Sequence, residues 1–155
     1  RLAAVVAAAE RLGLTPFTVM QPEYNLVTRA TYEGALQDLC LAKGIAVLPF
    51  YGLASGFLTG KYRSAADWAG SPRDFALDAA AAAGGWNVLA AMDEIVAETG
   101  ANHAQVALAW LISRAGVVAP LASATSPAQL ADLVAGASLE LSPDQLDRLT
   151  RAGEK

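Results

Sequence analysis

Three short apolar segments separated by helical patterns do most to limit what this chain can fold into: FTVMQ (17–21), IAVLPF (45–50) and VVAPL (117–121). Two are near-continuous apolar runs, and the other ends on a single polar residue. Strands of that kind suit a parallel sheet covered on both faces. Between them the apolar spacing turns helical. Tyr32, Leu36, Leu39 and Cys40 share one face, with Gly44 placed as the stop. Asn87 can cap a helix running to about Glu98 with Val88, Leu89, Met92, Ile95 and Val96 inward, and Asn102 can cap the apolar AQVALAWLISR. Ser126-Pro127 opens a helix with Leu130, Leu133 and Val134 inward, and Ser142-Pro143-Asp144 opens the last. The opening RLAAVVAAAERLG reads as a helix rather than a secretion signal, because Glu10 and Arg11 follow its small residues at once. The order is α-β-α-β-long loop-α-α-β-α-α, which requires right-handed crossovers and a parallel α/β sheet.

At 155 residues one domain is expected, and 54% hydrophobic against 17% charged residues excludes disorder. A net charge of −4 without a Lys/Arg stripe argues against nucleic acid as a partner. No apolar run reaches the roughly 18 to 20 residues of a membrane span, so no membrane partner is expected. Cys40 is the only cysteine, which fits a reducing, cytoplasmic setting. Residues 61–86 carry Gly70, Pro72, Gly84 and Gly85 and are too long for an ordinary connection. They read as a functional excursion with a helix over 75–83. Three strands are too few for a closed (β/α)8 barrel, which needs eight strands and about 250 residues. The pattern leaves two choices, a small open α/β unit or the second half of a barrel.

Four motifs separate these. QPEYNL from Gln21, IAVLPFYGLASGFLTGKY (45–62), AQVALAWLI (104–112) and APLASATSPAQLADL (119–133), in that order and spacing, resemble the C-terminal half of the aldo-keto reductases. These are (β/α)8-barrel enzymes that reduce carbonyl compounds with NADPH. The forms here are most similar to the branch that includes the voltage-gated potassium channel β subunits. The resemblance implies a partial (β/α)8 TIM barrel, an α/β fold made of the last three strands and their helices, as a single unit over 1–155.

It also implies roles for particular residues. Gln21 ends a strand, where an amide can both donate and accept; the family uses this position to hold the nicotinamide carboxamide. Phe50 stands where an aromatic stacks on the nicotinamide, although apart from the resemblance a core Phe at a strand end is the more common finding. Tyr51 and Gly52 depart from the usual Ser-Pro, which shifts or removes a hydroxyl contact. Leu53, Ala54, Ser55 and Gly56 form a bend whose small residues expose N–H groups to an anion, and an isolated GLASG also reads as a plain left-handed turn. Lys61 supplies the counter-charge in the family, with Arg63 or Arg73 as supplements. Ser123, Thr125 and Ser126 lead into a helix start, a second anion site suited to a 2′-phosphate and also a helix cap. Gln129 and Asp132 match the adenosine-facing positions, whereas Leu133 replaces a frequent Asn.

The family's proton-donating Tyr, its Lys and Asp partners and its substrate-orienting His all lie on the other half of the barrel, so no catalytic residue is expected here. His103, in the first turn of a helix, reads as a surface residue. Tyr24, Tyr32, Tyr51 and Tyr62 have no sequence-adjacent Lys-Asp partnership. Asp93-Glu94, Asp144 and Asp147 read as solvated charge. One His and one Cys make no metal site. The expected role is therefore the cofactor-binding half of an NADP(H)-dependent reductase of aldehydes and ketones. Competing with it are a non-catalytic NADP(H)-binding or partner-binding half-barrel, and an open βαβαβ mononucleotide-binding unit. The last lacks the GxGxxG that should open its first strand-helix turn. A half-barrel leaves sheet edges and inward strand faces uncovered, so the expected partners are a small carbonyl substrate and either an N-terminal half or a second copy of the chain.

Overall fold

The computed structural model describes residues 1–154. Helix α1 (Leu2–Leu12) leads to strand β1 (Val19–Met20), then α2 (Ala35–Lys43) and strand β2 (Ala46–Val47). Helices α3 (Asp74–Ala80), α4 (Trp86–Thr99), α5 (His103–Ile112), α6 (Pro127–Ala137) and α7 (Pro143–Ala152) follow. The two strands pair in parallel, with Val19 opposite Ala46 and Met20 opposite Val47. A bridge between Glu23 and Phe50 prolongs this pairing towards the strand ends.

The third expected strand is reduced to one bridge, Val47 with Val117. Val118 N–H donates to the Val47 carbonyl at 3.0 Å and Leu121 N–H to the Pro49 carbonyl at 2.7 Å. The segment lies alongside β2, but Pro120 has no N–H to continue a ladder. Coverage of both sheet faces holds for one face only. Side chains alternate across the sheet, which puts Met20 and Val47 under the helices, and Val47 is fully buried. Val19 and Val118, on the opposite face, are 47% and 63% exposed, as is Phe17 at 62%.

The core centres on α5, where Val106 through Leu111 are all buried. Trp110 is its hub. Its ring lies 5.6 Å from Tyr24, between the guanidinium groups of Arg29 (5.8 Å) and Arg114 (4.9 Å), and its Nε1–H donates to Thr150 Oγ1 at 3.0 Å. Helix starts follow the sequence at three places. Asn102 caps α5 in a reciprocal pair with Gln105, Ser142 caps α7 in the same way, and Ser126 caps α6 before Pro127. Gly44 stops α2 in a left-handed conformation.

Two helical expectations need correction. Asn87 is not a cap: α3 runs through a π turn at Ala81–Gly85 into α4, so the helix backbone already supplies the partners that a cap would provide. Leu130 and Val134 of α6 do not face inward; they are 56% and 61% exposed. Helix α6 instead meets α5 along its Gly136 side, where a Cβ would come within 3.0 Å of the Gln105 backbone.

The helical stretch Asp74–Thr99 is, by length and composition, apolar enough to cross a membrane. Its geometry is that of a bent core element. Gly84 breaks it at φ 91°, Leu77, Val88, Leu89, Met92 and Ile95 are buried in the core, and Glu94 and Glu98 pair with Arg148 of α7. The excursion is folded rather than open. Phe57 contacts Trp68 and Trp86 at ring distances of 5.9 and 5.0 Å, and the two tryptophans stack at 5.7 Å. Gly85 permits this, since a Cβ there would lie 2.5 Å from Phe57 Cε1.

An acid-sensitive cluster ties the loop after β1 to the chain's end. Tyr24 O–H donates to Glu33 Oε1 at 2.8 Å, Arg29 Nε donates to both Glu33 oxygens, and Arg29 Nη1 reaches the Thr150 carbonyl at 2.5 Å. Burial pushes the Glu33 carboxyl up, but the hydrogen bonds from Arg29 and Tyr24 outweigh it and hold the group below its ordinary 4.5. A depressed folded value means this stabilisation is present above the ordinary value and is lost as pH falls through the lower one. Melting temperature is accordingly expected to drop as pH falls below about 4.5, and Glu33→Gln should flatten that part of the profile.

Candidate functional site

The C-terminal ends of the paired segments bring most of the candidate residues to one rim. Gln21 is exposed at the end of the first strand segment, and the neighbouring Pro22 carbonyl accepts from Phe50 N–H at 3.0 Å. Phe50 is half-buried with its ring 5.0 Å from that of Tyr51, which is exposed. The backbone then leaves ordinary geometry. Tyr51, Ala54 and Ser55 adopt φ of 55°, 46° and 58°, and among the described residues they are the only non-glycines with positive φ. Gly56 follows at 96°. Left-handed backbone is costly for tyrosine and alanine, about 1 to 3 kcal/mol each, and persists only where surroundings enforce it.

One enforcing residue escaped the sequence reading. Asn25, inside QPEYNL and 1% exposed, donates from Nδ2 to the Tyr51 carbonyl at 3.0 Å. Its Oδ1 accepts from Val27 N–H at 2.9 Å and Thr28 N–H at 2.8 Å. A buried amide with both ends engaged is a rigid pin between the loops after the first two strands. The signal was an Asn closely followed by apolar residues, which must be paired if it is buried. Gly52 is pressed against α5, its Cβ position 3.0 Å from Leu111 Cδ2 and 4.0 Å from Pro120 Cβ. A larger residue there would push the loop off the third segment.

Lys61 closes the loop from above. Its Cε and Nζ lie 3.6 Å from the position a Gly56 Cβ would take, and Nζ sits 4.6 Å over the Tyr62 ring. Among the described residues it forms no salt bridge, so its charge is uncommitted. His103 is not a free surface residue. Its side chain is 14% exposed and its Nε2 lies 2.6 Å from Asp93 Oδ1. Asp93 also receives both guanidinium nitrogens of Arg63, which is thereby turned to α4. Arg73 precedes α3, where it makes no ion pair among the described residues.

The third segment contributes Ser123 and Thr125, both exposed, ahead of α6. Gln129 folds back, its Oε1 accepting from Thr125 N–H at 2.8 Å and Thr125 Oγ1–H at 3.0 Å. Asp132 faces α5, and its Oδ1 accepts from Asn102 Nδ2 at 2.9 Å and Gln105 Nε2 at 3.2 Å. Both side chains are therefore engaged within the protein. Leu53 and Ser55 are half-buried in the bend.

Tyr24 and Tyr32, behind this loop, are not tuned to donate a proton. Tyr24 is fully buried, and burial together with the Glu33 hydrogen bond drives its hydroxyl far upward, opposite to what a proton donor needs. Burial likewise pushes Tyr32 up, and its hydroxyl has no hydrogen-bond partner among the described residues. A cavity of about 500 Å³ lies elsewhere, between the 27–33 loop and Gly153, and no candidate residue lines it.

A known family is matched over nearly the whole chain. The model of the aldo/keto reductase family covers residues 2–154. The chain belongs to that family. A probable voltage-gated potassium channel β subunit of Arabidopsis thaliana is 33% identical over 132 residues, 79% of this chain and 39% of that protein. An aldo-keto reductase of Metarhizium robertsii is 31% identical over 147 residues, 88% of this chain and 37% of that protein. The L-glyceraldehyde 3-phosphate reductase of Escherichia coli K12 is 29% identical over 130 residues, 77% of this chain and 36% of that protein. The chain thus spans well under half the length of these relatives. This aldo/keto reductase chain has an α/β fold in which helices cover a small parallel sheet.

Proposed function

We propose that this chain is the cofactor-binding, C-terminal half of an NADP(H)-dependent carbonyl reductase barrel, a single unit over 1–155 with 61–86 as its loop excursion. The observation that carries the reading is the run of left-handed non-glycine residues at Tyr51, Ala54 and Ser55 with Lys61 folded over Gly56. The Asn25 pin holds this rim loop at Tyr51, the N–H groups of Ala54 and Gly56 are spent within the turn, and those of Leu53 and Ser55 are left to a ligand beside the Lys61 ammonium. A pyrophosphate fits both.

In this reading Phe50 offers a flat face to the nicotinamide and Gln21 holds its carboxamide. The N–H groups of Leu53 and Ser55 take the pyrophosphate with Lys61, while the Gly56 N–H stays on the Leu53 carbonyl at 2.9 Å and Tyr51 and Gly52 shape the entry. Ser123 and Thr125 meet the 2′-phosphate at the start of α6, and Gln129 and Asp132 lie at the adenosine end. The residues present fit the phosphate end best. Gln129 and Asp132 must give up or share internal hydrogen bonds to reach an adenine. The bound cofactor would supply hydride to an aldehyde or ketone. The chain's own residues bind and orient it, and the proton donor comes from the other half of the barrel.

The exposed face carrying Val19, Val118 and Phe17 supports the same reading, since inward strand residues of a barrel need the remaining strands to cover them. In this reading the partner is the N-terminal half, with a second copy of the chain as the alternative cover. A cytoplasmic site of action follows from the cofactor and the lone, buried Cys40. The alternative, an NADP(H)-binding module without turnover, uses the same site and differs only in having no catalytic half. Fluorescence titration of the chain with NADPH is expected to show saturable binding, tighter than for NADH. A folded chain with no saturable response to either would overturn both readings.

A further inference from the structure

The segment that carries Lys61 is held on both sides by one carboxylate. On the N-terminal side, Gly60 (φ 73°) packs directly on the His103 imidazole. A Cβ there would lie 2.7 Å from His103 Cγ and Nδ1. That ring is fixed in turn by Asp93, whose Oδ1 is 2.6 Å from His103 Nε2. On the C-terminal side, Arg63 donates from Nη1 to Asp93 Oδ2 at 2.8 Å and from Nη2 to Asp93 Oδ1 at 2.9 Å. The Arg63 backbone N–H is tied to Asp67 Oδ2 at 2.6 Å. Three elements therefore meet at Asp93: the end of the 54–59 turn, the start of the excursion, and the first turn of α5, itself set by the Asn102 cap. Lys61 stands between the two anchors and has no acidic partner of its own among the described residues.

From this geometry we infer that Asp93, acting through His103 and Arg63, is a positioning residue that aims Lys61 at an anion on the Ser55–Gly56 turn. The inference rests on the phosphate-site reading of that turn. A bidentate Arg-carboxylate pair fixes direction as well as distance, and the glycine-on-imidazole contact leaves the other side no slack. Without the clamp, Lys61 joins a flexible strap, and ordering it on binding costs the affinity that a preset charge avoids. A plain surface ion pair, by contrast, contributes little and leaves ligand binding untouched.

The test is a double-mutant cycle on the full chain, read as the NADPH dissociation constant, with melting temperatures measured alongside. Lys61→Met is expected to weaken binding about tenfold and Asp93→Asn about fivefold, while Asp93→Asn in the Lys61→Met background adds less than about twofold. Asp93→Glu, which can keep both the Arg63 and His103 contacts, is expected to restore affinity to within about twofold of the parent. Equal losses from Asp93→Asn in both backgrounds would mean general loosening and overturn the inference. No loss from Asp93→Asn while Lys61→Met weakens binding would do the same and leave the phosphate site standing. If Lys61→Met has no effect, the reading of Lys61 as counter-charge fails and the inference falls with it, a result distinct from the other two. Should Asp93→Asn fail to fold, His103→Gln takes its place in the cycle, with the same non-additivity expected.

Discussion

Trp110→Ala is expected to leave the chain unfolded at room temperature or nearly so. The indole is fully buried, packs on Tyr24, lies between two guanidinium groups, and bonds α7 through Thr150. Truncating a core tryptophan costs about 3 to 5 kcal/mol, and here the loss reaches further. Arg29 and Arg114 lose the ring face they stack on, and the Thr150 hydroxyl loses its nearer donor, keeping only Arg114 Nη1 at 3.5 Å. The sheet has one covered face, so the core has less apolar burial in reserve than a closed barrel. Chemical denaturation followed by circular dichroism checks this; a midpoint within experimental error of the parent would contradict it. Trp110→Phe, which keeps most of the buried area, should lose much less.

Gly56→Val should weaken NADPH binding by a factor of about 10 to 100, equivalent to about 1.4 to 2.8 kcal/mol. At φ 96° any L side chain is strained, and a branched one most of all. Its methyl groups also enter the space in which Lys61 Cε and Nζ lie, 3.6 Å from the Cβ position. Gly70→Val is the matched control. Gly70 is also left-handed, at φ 76°, but no atom lies within 4 Å of its Cβ position. Both variants should melt at lower temperature than the parent, and only Gly56→Val should lose affinity. Similar affinities for the two would show that the 53–56 turn does not touch the cofactor.

What the sequence conveyed well is what local chemistry dictates. Asn102, Ser126 and Ser142 cap where a side-chain oxygen ahead of a helix must cap, Gly44 ends α2, and Val106 through Leu111 are buried because none of their side chains carries a charge or an amide that must face water. Family membership was legible from the order and spacing of four motifs. Hidden from the sequence were properties of the assembled chain. VVAPL reads as a strand as convincingly as IAVLPF, yet Pro120 limits its pairing to a single bridge. The apolar spacing of α6 puts Leu130 and Val134 on one face but does not say whether anything covers that face, and they are exposed. The loop strain was illegible because Tyr51 and Ala54 are not residues that favour left-handed backbone; a buried amide 26 positions away holds Tyr51. The same limit applies to Asp93 and His103. Each looks like a solvated side chain until the fold places Gly60 against the imidazole.

The most direct test of the central claim follows NADPH fluorescence and NADPH absorbance together while the chain is titrated and then given an aromatic aldehyde. The account predicts saturable binding, weakened about 10- to 100-fold by Gly56→Val and kept by Gly70→Val, with no consumption of NADPH above the protein-free rate. Steady oxidation of NADPH by the chain alone would contradict it, because the proton donor would then have to lie within these residues.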